Sequence, residues 1–277
     1  MRVYISADIE GVTGVVSWKQ CGAPSSEHYD WQFARRMMTH DVNCAIRGAR
    51  AAGATEIVIK DSHNVGKNLL IDELEPGVEL ISGTRAGIDG MMQGIGDGFD
   101  CCFLVGYHGM AGTTEGVMEH TISGRIHRCW VNGVPAGEML LSAFTAGHYN
   151  VPLVFAVSDD KGCAEIEQMI PGVSVSITKY GMGRHMARLL HPSVTGPDIE
   201  QNAKRAVTQA AQVAPLKSEG SQSVKIEFNR SEECDEACMI PGFTRSDAYT
   251  VEASAENWPT AHNLIRRAMA AAALANP

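Results

Sequence analysis

The stretch Arg2-Val3-Tyr4-Ile5-Ser6-Ala7-Asp8-Ile9-Glu10-Gly11 decides how this chain is read. Arg2 to Ala7 is a strand-length run of good strand formers. Two carboxylates and a glycine follow at once. In open parallel α/β sheets, functional groups gather beyond the carboxyl ends of the strands, so a strand that runs straight into Asp8 and Glu10 points to that architecture. The two acids stand two residues apart. In extended chain their side chains face the same side, and Gly11 lets the backbone turn immediately afterwards.

Outward from this strand, short apolar runs alternate with helical segments. Glu27 to Ala52 has helical periodicity, with Phe33, Met37, Ile46 and Ala49 near one face and Gly53 as a stop. Strands are predicted at Glu56 to Lys60, Cys101 to Val105, Pro152 to Val157 and Val173 to Thr178. Arg128 to Val131 meets Asn132-Gly133, a dipeptide suited to a tight hairpin. Glu138 to Tyr149 reads as a helix. This alternation predicts an α/β domain over residues 1–190, with a mainly parallel sheet flanked by helices. Around Pro192 to Pro197 the texture changes. A polar helix (Ile199 to Val213), two strands (Ser223 to Phe228 and Ala248 to Ala253) and a terminal helix (Trp258 to Ala275) predict a smaller C-terminal α+β unit over 191–277. No repeat or low-complexity linker marks the boundary.

The chain has 277 residues, 44% of them hydrophobic, enough for a sizeable core. Its formal charge of −9 disfavours a sequence-independent nucleic-acid binder, which needs a cationic face. No apolar run approaches the roughly 20 residues of a membrane span, and no apolar signal core follows Met1. The eight cysteines lack CxxC spacing, so they read as buried free thiols. The expected compartment is the cytoplasm, with no membrane partner.

The chemistry lies at the strand ends. The first ends in Asp8-Ile9-Glu10, the second in Asp61-Ser62-His63 and the third in Gly106-Tyr107-His108. Each delivers a metal-ligand type to one edge of the sheet, and Asp, Glu and His together suit zinc or manganese. A carboxylate such as Asp8 can bridge two cations, which repel unless anions separate them. Asp159-Asp160 ends a fourth strand at the same edge and could orient ligands. His120 could move a proton or be an ordinary loop histidine. Glu138 could be a ligand or simply favour the dipole at a helix start. The remaining histidines, His262 among them, have no comparable placement. Gly94-Ile95-Gly96-Asp97-Gly98 has the wrong spacing for a dinucleotide loop, and neither a Walker A sequence nor a Gly-x-Ser-x-Gly elbow occurs.

Ser6-Ala7-Asp8-Ile9-Glu10-Gly11 resembles the SxDxEG signature of the zinc-dependent D-aminopeptidases, a family first associated with dipeptide-transport operons. The resemblance continues through Asp61-Ser62-His63, Gly106-Tyr107-His108, Gly116-Val117-Met118 with His120, Asn132 to Glu138, Asp159-Asp160 and Ile240-Pro241-Gly242, nearly the whole chain. It implies a centre of two Zn2+ per subunit. Asp8 would bridge both ions, Glu10 and His63 would complete one site, and His108 with Glu138 the other. His120 matches the family's catalytic histidine. The resemblance further implies short peptide substrates, a preference for D-residues and a ring-shaped homodecamer. The segment after Gly11 and the stretch Glu232 to Cys238 depart from the family pattern, which leaves substrate preference open.

Two other readings compete. A two-metal hydrolase could act on another amide or on a phosphate ester, although no Arg or Lys cluster is evident at the acidic edge. A non-catalytic peptide-binding protein could use metal to hold its fold, but closed structural zinc sites favour Cys and His over carboxylates.

Overall fold

The computed structural model describes residues 1–22 and 27–275. Chain order begins β1 (Arg2–Ala7), α1 (Trp31–Ala51), β2 (Glu56–Asp61), β3 (Glu79–Ile81) and β4 (Cys101–Val105). It continues through β5 (Ile126–Val131), β6 (Val134–Pro135), α2 (Glu138–His148), β7 (Leu153–Ser158), α3 (Asp160–Met169) and β8 (Ser174–Ile177). Then come β9 (Lys179–Gly183), β10 (Met186–Leu189), α4 (Pro192–Thr208), β11 (Gln222–Phe228), α5 (Ser231–Cys238), β12 (Phe243–Arg245), β13 (Thr250–Ala255) and α6 (Trp258–Ala272).

The main sheet has six strands in the order β3-β2-β1-β4-β7-β8, and every pairing in it is parallel. Its central strands are apolar along their length because both faces are covered; all five residues of β4 are buried. α1 and α4 pack on each other and against this sheet. The α/β fold read from the alternation of strands and helices is therefore present, and β2, β1 and β4, whose ends carry the acids and histidines, are neighbours.

A second sheet of five antiparallel strands, β12-β13-β11-β5-β6, packs with α5 and α6 around its own apolar core, which includes Ile126, Val131, Ile226, Val251 and Trp258. Its make-up differs from the expected split at residue 190. The hairpin β5–β6 comes from within 1–190 yet pairs with β11, while α4 of the C-terminal stretch joins the first core through Ile199, Ala203 and Val207. Local pattern shows that a segment is a strand, but not which sheet completes it. The hairpin turn itself is as expected: Asn132 and Gly133 both take left-handed φ, 54° and 77°.

Two local expectations change. β1 ends at Ala7, so a bend and turn through residues 8–10, rather than extended alternation, carry both carboxylates inward. Gly11 is needed for closeness, not for turning. A Cβ there would lie 1.7 Å from the carbonyl oxygen of Tyr107, and Gly11 N–H donates to Gly106 O at 2.7 Å. The exits of β1 and β4 are thus pressed together at backbone distance. Among the described residues no helix is long and apolar enough to cross a membrane, and all eight cysteines are free.

Gly11→Ala is expected to cost about 3 kcal/mol, the upper end for overpacking a buried site. Thermal unfolding checks this; an unchanged Tm would show that the two strand exits can part freely.

Candidate metal centre

Three adjacent strand exits and one helix start converge on a cavity of about 380 Å³. β1 supplies Asp8 and Glu10, β2 supplies His63, β4 supplies His108, and α2 begins with Glu138. His120 enters on the loop between β4 and β5. All six residues expected at the site are brought together. Asp8, Glu10, His108 and Glu138 are buried.

Asp8 stands between the two groups. Its Oδ1 accepts from His63 Nδ1 at 3.1 Å, and its Oδ2 lies 3.6 Å from His108 Nε2. His63 Nδ1 also lies 3.2 Å from Glu10 Oε2. On the other side, Glu138 Oε1 is 3.4 Å from both His108 Nε2 and His120 Nε2. The two imidazoles stack at 4.1 Å, inclined by 10°. Each points its Nδ1 at a main-chain carbonyl, His108 at Gly109 O (3.0 Å) and His120 at Met118 O (2.9 Å), which fixes the ring and turns Nε2 into the site.

The electrostatics of this cluster call for positive charge. Burial, and next the charge of Glu10, push Asp8 up to about 8. Burial also works against Glu10, but His63, His120 and His108 outweigh it and hold that carboxyl well below its ordinary range. His63 and His108 rise despite burial, through Glu10 and Glu138 respectively. Protons shared among carboxylates and imidazoles therefore balance the cluster. Both carboxylate oxygens of Glu10 and Nε2 of His108 are buried without a hydrogen-bond partner. Buried orphans of this kind cost about 1–3 kcal/mol each, and more when charged. Divalent cations would satisfy all three atoms. Asp8, Glu10 and His108 form one set of convergent donor atoms, and His108, His120 and Glu138 a second. Carboxylate and imidazole donors are the chemistry that zinc or manganese takes. Within the second set His120 Nε2 lies as close to Glu138 Oε1 as His108 Nε2 does. Burial, then the charge of His108, lower its pKa, favouring neutral imidazole.

The frame around the cluster is polar and closed. Ser6 Oγ meets Ser62 Oγ and the Tyr107 hydroxyl, each at 2.7 Å, tying β1 to the exits of β2 and β4. Asp61 is not aimed at the centre. It accepts from the backbone N–H of Asn68 and Leu69 and from Asn68 Nδ2, closing the loop behind His63. Asp159 Oδ2 accepts from Val117 N–H at 2.7 Å while Oδ1 caps α3, so the expected orienting role falls on the backbone of the His120 loop. That loop is strained. Met118 and Ile122 on either side of His120 have φ of 54° and 59°, which is costly for a β-branched residue. Ile122 N–H is held by Glu138 Oε1 at 2.6 Å.

Two features escaped the sequence. Lys179, at the start of β9, is fully buried, and its Nζ donates to the carbonyls of Glu10 (2.6 Å), Val12 (2.8 Å) and Val15 (2.6 Å). Its three donors thus knit the loop after β1, although burial pulls its pKa down to about 8. A lone lysine in a polar hairpin gives no local sign of this. The second feature corrects an expectation: the acidic edge does have basic neighbours. Lys60, Arg85 and Arg266 line the same cavity. They come from three remote segments and form no cluster in sequence.

A family model described as D-aminopeptidase matches residues 1–267. The D-aminopeptidase of Bacillus subtilis (strain 168) is 31% identical over 242 residues, which cover 87% of this chain and 86% of that protein. A solved structure of the Zn-dependent D-aminopeptidase DppA from Bacillus subtilis, described as a self-compartmentalizing protease, superposes with a TM-score of 0.94 at 29% identity. The match covers 99% of this chain and 98% of that one.

Lys179→Met leaves the buried carbonyls of Glu10 and Val15 without a donor and that of Val12 with only the Val15 N–H at 3.4 Å. We expect a loss of roughly 3 kcal/mol or more, together with weaker retention of divalent cations on dialysis. Tm and metal content check this; a variant matching the parent in both would free the lysine of this role.

Proposed function

The chain belongs to the D-aminopeptidase family, and from that premise we propose that its carboxylate–imidazole cluster holds two zinc ions and hydrolyses the first peptide bond of short peptides that begin with a D-residue. The protein is a metal-dependent aminopeptidase. The observation that carries the two-ion reading is the position of Asp8, whose two oxygens face His63 on one side and His108 on the other. Asp8 would bridge, Glu10 and His63 would complete one site, and His108 and Glu138 the other. Bound zinc supplies a Lewis acid for the scissile carbonyl and lowers the pKa of water from 15.7 to about 7.

The chain's own residues then do three things. The carboxylates would hold the ions at the floor of the cavity, where a substrate's free neutral amine would be a further ligand, which favours cleavage at the amino end. Burial of Asp8, Glu10, His108 and Glu138 keeps bulk water from these side chains. His120, neutral and with Nδ1 committed to Met118 O, has Nε2 free to take the proton of the attacking water and pass it to the departing amine. Its strained loop and its packing edge-on to Trp18 at 5.1 Å hold that nitrogen in the site.

The solved relative is described as self-compartmentalizing. We extend this to a closed homo-oligomer here, with a ring-shaped decamer as the specific form. The free thiols fit a reducing compartment, and we place the enzyme in the cytoplasm.

A panel of D- and L-aminoacyl dipeptides, assayed before and after chelation, tests the function. Release of the D-residue, its loss on chelation and its return with zinc are expected. Turnover that survives exhaustive chelation would end the metal mechanism. His120→Ala should lower kcat by about 100-fold or more while both ions stay bound; loss of one ion would make His120 a ligand instead. Light scattering of the native protein should give a mass many times the 29.8 kDa of one chain, and a monomer would contradict the enclosed assembly.

A further inference from the structure

The cavity that holds the acidic cluster is also lined by cations that the proposed reaction has not used. Arg266 comes from α6, at the far end of the chain, and Arg85 from the loop after β3. Lys60 lies in β2; its Nζ donates to the carbonyls of Asp61 and Gly83, and burial lowers its pKa.

Arg266 is the informative member. Its guanidinium is partly buried, yet no described residue accepts a hydrogen bond from it or pairs with its charge. It senses the negative charge of Glu138 without forming an ion pair with it, while burial pulls its pKa down. The guanidinium is half-buried and its donors meet no acceptor among the described residues, so they are turned to the solvent at the cavity wall. A ligand carboxylate would take the place of that solvent, and planar bidentate pairing is what the arginine fork does best.

The surroundings hold this group in place. One turn before Arg266, His262 is buried against Trp258, their rings stacked at 5.3 Å, and its Nδ1 bonds the carbonyl of Ile88. This pins the loop that bears Arg85 against α6. Gly90 in that loop has φ of 54°; a Cβ there would lie 2.6 Å from the His262 ring and 3.1 Å from Arg266 Nη1. The loop and the helix thus meet at the cavity wall beside the guanidinium.

From this arrangement we infer that Arg266, supported by Arg85 and Lys60, forms a subsite for the free C-terminal carboxylate of a short peptide whose amino end lies at the acidic cluster. The inference rests on the aminopeptidase reading and adds a length limit to it. A peptide carries an amine at one end and a carboxylate at the other, and this cavity sets cations beside the metal-binding cluster. Its volume of about 380 Å³ sits at the small end of ligand sites. Both ends can be held together only when the peptide is a few residues long.

The experiment compares D-Ala-D-Ala with its C-terminal amide on the zinc-loaded native assembly, in kcat/KM and in calorimetric binding. Native protein should favour the free acid by about 10- to 100-fold, the worth of one charge-assisted pair. Arg266→Met should collapse that preference towards one, chiefly through KM for the acid; Arg266→Lys should restore part of it. Arg85→Gln, at an exposed position, should reduce the preference more modestly and serves as a second variant with little risk to folding. Equal handling of acid and amide by native protein would overturn the subsite while leaving the aminopeptidase reading intact. So would an Arg266→Met variant in which both substrates fall together, since the arginine would then serve the reacting centre. Conversely, a protein that cleaves neither substrate but binds the acid more tightly through Arg266 would lose the aminopeptidase reading and keep the subsite.

Discussion

Asp8, Glu10 and Glu138 are carboxylates withdrawn almost wholly from water and set among the three imidazoles of His63, His108 and His120. Their mutual repulsion and lost hydration are the constraint on which the rest of the structure depends. No such cluster persists unless the backbone around it is rigid and counter-charge is at hand. Rigidity comes from glycine contacts that bring the exits of β1 and β4 to backbone distance and from a lysine that spends all its donors on the Glu10 loop. Counter-charge comes partly from His63 and His108, which are drawn towards the protonated state. The orphaned oxygens of Glu10 show that the protein alone does not finish the task. A site that is completed only by cations has its binding energy prepaid in its own discomfort.

The parts of this centre that were legible in the sequence share one property: they follow directly from a strand. Asp8, Glu10, His63 and His108 stand at or just beyond the ends of apolar runs, and runs buried on both faces can be recognised without knowing the fold. Parallel order then sends their ends to one edge. Glu138 and His120 were different. A glutamate at a helix start and a histidine in a loop have ordinary local explanations, and only the resemblance to a family raised them above those. Their place at the centre depends on how the β4–β5 loop and α2 return over the sheet, which no local pattern encodes.

What the sequence hid was assembled across distance. Lys179 becomes structural only when three carbonyls from another loop arrive at it. Lys60, Arg85 and Arg266 become neighbours only when α6 docks over the loop that follows β3. The division into sheets was hidden for the same reason, because the hairpin of β5 and β6 carries the signature of a strand pair and none of its eventual partner. Helices α3 and α5 were also missed. Both are short, and their apolar residues are too few for periodicity to stand out against a polar loop.

The interleaving of the two sheets has a kinetic side. Asn132, at the tip of the β5–β6 hairpin, bonds to Ser223 at the head of β11 across a sequence separation of 91 residues. The loop carrying His120 and the start of α2 flank that hairpin, so they reach their final positions only after the second sheet closes. During synthesis this requires most of the polypeptide to have left the ribosome, and contacts of such separation form slowly. The main sheet can assemble first, from strands that lie earlier in the chain. Hydrolytic competence is therefore a late acquisition: a nascent chain has its first carboxylates in place well before it has the groups that would let it cut a peptide.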